Sequence, residues 1–212
     1  MRVPETFCQE ATIRLIMNNY HYIIAGLPYL IPDSGTERFS FGTIRSSVKE
    51  QLSDRDRRLV DWLEAGSNTD NLCGHFYRAV ARQKSGFLRN YFEMDRKLRN
   101  AATVFIAAKT GTDPSKYTVG ETESSMESYP ELQEIFQCSD LFEREHRLDR
   151  LRWDKITEMT VFHYFDMDVI LAFLAKGMIV ERWQAMDKER GAVLFRQYVD
   201  EVRGTFKGID FK

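Results

Sequence analysis

The stretch whose reading decides the fold is residues 87–108, FLRNYFEMDRKLRNAATVFIAA. Within it Phe87, Tyr91, Met94, Leu98, Ala101, Phe105 and Ala108 recur at alternating spacings of four and three. An α-helix turns once in about 3.6 residues, so these seven side chains share one face. The pattern reads as a core-facing stripe of a helical bundle, with an intermolecular coiled coil as the alternative. Ser85 can cap the start of this helix and Gly111 can stop it.

The same logic carries outward in both directions. Upstream, Ile44, Val48 and Leu52 repeat every four residues, and Ser53 with Asp56 opens a second helix through Trp62. Leu72, Phe76 and Val80 make one face of a third. Tyr20 to Pro28 is rich in β-branched and aromatic residues and reads as a short extended segment or the first turn of a helix. Met17 can begin translation, which would leave residues 1–16 as upstream sequence or a disordered extension.

Downstream, residues 111–130 turn to Thr, Ser, Glu, Gly and Pro and lose all period, which marks a linker between two halves, 17–110 and 131–212. Leu141, Leu148, Leu151, Ile156, Met159 and Phe162 share an arc that predicts a helix from about 140 to 163. Arg152 and Lys155 intrude on that arc, so either their stems snorkel or part of the face meets a partner. Asp166 can cap the next helix, apolar all round from Val169 to Ala175. Gly177 inside it costs about 1 kcal/mol against alanine, which points to a kink or a tight contact. A last helix from Asp187 would bury Leu194, Phe195, Tyr198, Val199, Val202 and Phe206. The expected fold is mainly α: a multi-helix bundle in two helical halves, with a short extended N-terminal segment.

Composition bounds the function. With 212 residues, 43% hydrophobic and 29% charged, the chain is an ordinary globular one that needs no metal or disulfide staple. A net charge of −2 argues against a nucleic-acid partner. Cys8, Cys73 and Cys138 lack the short spacings of zinc or redox sites. The longest apolar run, Val169 to Val180, falls short of the roughly 20 residues a membrane span requires.

Charge is nevertheless polarised. Residues 71–110 hold eight Lys or Arg against two acids, and residues 111–149 hold ten acids against three bases. The two segments can face one another or be solvated faces. Alternatively, Arg89, Arg96 and Arg99, with Arg152 and Lys155, contact an acidic protein partner, or residues 71–110 bind single-stranded nucleic acid.

No catalytic motif stands out. Glu143 and His146 form a single Glu-x-x-His element without the second pair a di-iron site needs. Lys109 to Lys116 lacks phosphate-loop spacing. A helical-bundle enzyme with a metal or small-molecule pocket around Glu143, His146 and His163 is the alternative from the enzyme class. No catalytic residue, metal ligand or cofactor is assigned.

Three stretches carry a resemblance: Asn19 to Pro28; Phe87 to Phe92 with Leu98 to Asn100; and Phe162 to Asp168 continuing through Ile179 to Trp183. From about Met17 to its end the chain resembles an uncharacterised bacterial family encoded beside V-type ATP synthase genes, itself similar to a shortened form of that machine's C/d subunit. The resemblance implies a helical, non-catalytic component of a proton- or sodium-transporting machine. Such a component is cytoplasmic and peripheral to the inner membrane, and it couples or assembles the central stalk on the rotor ring. The implied partners are the stalk and rotor components of the V-type ATP synthase.

Overall fold

In the computed structural model the described residues are 19–32, 40–120, 128–185, 193 and 195–201, and among them every regular element is helical. The order is α1 (Asn19–Ala25), α2 (Phe41–Gln51), α3 (Asp54–Ser67), a 3-10 turn (Thr69–Asn71), α4 (Gly74–Ala81), α5 (Gly86–Thr110), a second 3-10 turn (Pro114–Lys116), α6 (Glu131–Gln137), α7 (Leu141–Met159) and α8 (Met167–Ala185). The N-terminal segment is thus a helix rather than an extended strand, running without regular structure only after Gly26. Residues 1–16 lie outside the described residues.

Local chemistry sets the helix ends. The Ser53 side chain accepts from the Asp56 amide and that of Ser85 from the Leu88 amide. Each such cap is worth about 1 kcal/mol. Gly111 ends α5 in the left-handed conformation, φ 66°, where a Cβ would be strained. Asp140 accepts from the Phe142 and Glu143 amides at the start of α7. This helix stops at Met159, four residues short of the expected 163. There the Thr157 and Thr160 hydroxyls bond back to the carbonyls of Trp153 and Ile156. Such side chains compete with the backbone ladder and favour an ending.

Two hydrophobic cores lie along α5. The first joins Ile23, Phe41, Val60, Leu88 and Phe92 to Ile156, Ile170, Leu171 and Leu174. The second joins Met94, Leu98 and Ala101 to Leu132, Phe136, Leu148 and Leu151. Tyr91 and Met159 touch both. Each core takes side chains from both sides of 111–130, so each half of the sequence completes the packing of the other. The α5 stripe is buried or half-buried from Phe87 to Phe105 and surfaces at Ala108.

α8 is the central element, packed on α1, α2, α3, α5 and α7, as its all-round apolar surface requires. Lys176 escapes by laying its ammonium over the Trp153 ring, and burial lowers its pKa. Gly177 marks a tight contact: the Phe41 ring occupies the place its Cβ would take. The first part of 111–130 is fastened to α5. Buried Asn100 donates to the Val119 carbonyl (2.9 Å) and accepts from the Val119 amide (3.0 Å).

The expected last helix is only partly visible. Asp187, Leu194, Val202 and Phe206 fall outside the residues whose structure is described. Residues 195–201 are helical, but Phe195 and Tyr198 are exposed and Val199 only half-buried, against the expectation of a buried face. Their aromatic rings have no described element packed over them. Among the described residues no helix is long and apolar enough to cross a membrane.

Candidate functional site

Two features rise above ordinary surface. One is an aromatic face at an end of the bundle, where the loop after α7 meets α1. Phe162 and Tyr164 in that loop are 87% and 68% exposed, and Val161, Phe165 and Tyr22 are exposed beside or opposite them. His21 stacks on Phe165 with ring centroids 3.9 Å apart, tying α1 to the loop. The loop is held from beneath. Asp166 accepts from the Val169 amide (3.3 Å) as the cap of α8 and also pairs with His163. The hydrogen bond to Asp166 raises the His163 pKa. Ser85, the cap of α5, hydrogen-bonds Asp168, whose pKa burial raises. Backbone and polar groups are therefore fixed while the rings point out. Isolated exposed apolar residues need no explanation, but four within the five positions 161–165 stand out from ordinary surface.

The second feature is a cleft of about 800 Å³ lined chiefly by α5, α7 and α8, with Arg45, Gly66, Tyr77 and Val119 from other segments. Two carboxylates anchor its wall, Asp95 at 6% and Asp149 at 4% exposure. Asp95 accepts from Arg99 Nε (2.7 Å) and from the Tyr77 hydroxyl (3.3 Å), with Arg152 Nε at 4.0 Å. Asp149 accepts from Arg152 Nη1 (2.7 Å), Trp183 Nε1 (2.8 Å) and Arg182 Nη2. Burial lowers the Arg182 pKa. It also pushes the Tyr91 hydroxyl, beside Asp95, up to about 12. Burying a charge is tolerated only when it is paired and hydrogen-bonded. This network meets that condition and ties the three helices together.

Four of the five expected partner-contact residues lie at or near these places, and Lys155 does not. Arg99 and Arg152 come together in the cleft wall. Arg96 lies at its edge, donating to the Val119 carbonyl (2.9 Å) and to Glu93. Arg89 is exposed near the aromatic end, where its charge acts on Asp168 while it donates to the carbonyls of Gln83 and Lys84. Lys155 is on α7, paired with Glu158 at 3.0 Å.

The constellation proposed for an enzyme does not assemble. Glu143 pairs with Arg147, His146 packs edge-on against Trp183, and His163 pairs with Asp166 past the far end of α7. From His146 to the end of that helix is about 20 Å at 1.5 Å per residue. Among the described residues no group of three or more His, Cys, Asp or Glu is placed to hold a metal.

The sequence reading missed the cleft and the roles of Tyr77, Tyr91, Asp95, Asp149, Arg182 and Trp183. The available signals were Asp95 four residues before Arg99 and Asp149 three before Arg152, both helical pair spacings. No curated protein and no solved structure matches the chain. Residues 17–73 and 64–205 match the model described as "Protein of unknown function (DUF2764)", and the chain belongs to that family.

Proposed function

We propose that this protein is a non-catalytic docking component of a V-type ATP synthase, similar to its C/d subunit, which couples or assembles the central stalk on the membrane rotor ring from the cytoplasmic side. One observation carries this reading beyond the resemblance. The stretches Asn19 to Pro28 and Phe162 to Asp168 meet through the His21–Phe165 stack, and Ser85, at the start of the Phe87 to Phe92 stretch, joins them through Asp168. Segments far apart in the chain thus build one end face. What they display is exposed aromatic surface.

Aromatic rings held on a fixed backbone suit docking, because burying each returns about 1.5–3 kcal/mol with few rotamers to freeze. Arg89, exposed at that end, suits an acidic partner surface. The test is co-purification of the tagged chain with the stalk and rotor-ring components of the ATP synthase in mild salt. The wild type should retain them. A Tyr22→Ser, Phe162→Ser, Tyr164→Ser variant should lose them with an unchanged circular dichroism spectrum. No association of the wild type would overturn the proposal.

A further inference from the structure

Three arginines, Arg99, Arg152 and Arg182, converge on the cleft wall. Arg99, Arg152 and Arg182 surround Asp95 and Asp149. Two further acids line the cleft: Glu145, about half exposed and 3.8 Å from Arg182, and Glu181. Arg99 spends only its Nε on Asp95, and Arg152 only its Nη1 on Asp149 at hydrogen-bond distance. Both Nη groups of Arg99, Nη2 of Arg152 and the Tyr91 hydroxyl have no hydrogen-bond acceptor or donor among the described residues. All three of these residues line the cleft. The mutual repulsion of Arg99 and Arg182 and the burial of Arg182 work in the same direction, since both disfavour the charged guanidinium. The lining also includes apolar Phe92, Met178 and Ile179. A volume of about 800 Å³ falls within the range of small-molecule sites, which typically combine apolar lining with a few convergent polar groups.

We infer that this cleft binds a small anionic molecule whose phosphate or carboxylate group is held by the free guanidinium edges of Arg99 and Arg152, and whose body lies along Phe92, Met178 and Ile179. Guanidinium forks match either oxyanion geometrically. A bound anion would supply acceptors for guanidinium donors that have none among the described residues. The inference is independent of the aromatic end face, so its failure would leave the docking proposal standing.

Calorimetric titration of the full chain at low ionic strength tests it, with inorganic phosphate, pyrophosphate, ADP and citrate as probes. At least one should bind with a Kd below about 1 mM. A preference for the phosphate-bearing probes or for citrate identifies the head group. Arg99→Gln should weaken binding about tenfold or more, as expected for loss of a charge-assisted hydrogen-bonded contact. Arg99 is 40% exposed and Asp95 keeps Tyr77 and Arg152 nearby, so this variant should fold. Tyr91→Phe removes only a hydroxyl and should weaken binding several-fold with the fold intact. Failure of all four probes to bind, or affinities unchanged in both variants, overturns the inference.

Discussion

Gly177→Ala sets helix propensity directly against packing. In an open helix the change would stabilise by about 1 kcal/mol, because alanine loses less backbone entropy than glycine. Here the new Cβ would stand 1.9 Å from Phe41 Cε2, 2.5 Å from Cδ2 and 2.6 Å from Cζ. Carbon atoms prefer about 3.5–4.0 Å, so ring or helix must move by roughly 1.5–2 Å. Phe41 is buried, with the Arg45 guanidinium 5.6 Å from its ring centre, and it is the first residue of α2. A shift of its ring therefore displaces α2 from α8. Overpacking of this kind costs about 1–3 kcal/mol, and the severity of the clash places the cost at the upper end. The net expectation is destabilisation of about 2 kcal/mol, or a fall in Tm of about 4–8 °C for a chain of this length. Urea and thermal unfolding followed by circular dichroism measure it. A double-mutant cycle with Phe41→Leu locates the cause, since a smaller side chain at 41 should leave Gly177→Ala nearly neutral, with a coupling of at least about 1 kcal/mol. Equal or greater stability of Gly177→Ala, or additivity in the cycle, would refute the reasoning.

Other perturbations report on the polar elements. Asp149→Asn removes the charge shared by Arg152 and Arg182 and should cost about 2–4 kcal/mol in urea unfolding; this is below the fully buried case because Arg182 is 42% exposed. Asn100→Ala deletes both bonds to Val119 and should cost about 1–3 kcal/mol, with hydrogen exchange at the Val119 amide accelerated more than in the cores. His163 has its pKa raised by Asp166, so the pair's contribution is fully present below the ordinary histidine value of about 6.5. It is lost as pH rises through the higher folded value. An NMR titration should find His163 above that ordinary value, and Asp166→Asn should return it downward.

What was legible in the sequence and what was not separate along the line between local and tertiary causes. The stripe from Phe87 to Phe105, the caps at Ser53, Ser85 and Asp166, and the stop at Gly111 are set by residues within one or two turns of one another. Spacing alone therefore exposes them. Gly177 was readable as an anomaly, but its cause is Phe41, 136 positions away. The buried face expected of Phe195 and Tyr198 failed for a related reason: an amphipathic period shows that a helix has an apolar side, but only a packed neighbour makes that side a core. The cleft lies furthest from local reading. Arg99 and Arg152 carry signals that suit a solvated or docking surface equally well, since an Asp one turn earlier is common on any helix. What draws them inward is that α8 brings Arg182 and Trp183 onto Asp149, more than thirty residues distant in sequence. The same approach removes water from Tyr91 and leaves unspent guanidinium edges facing one cavity.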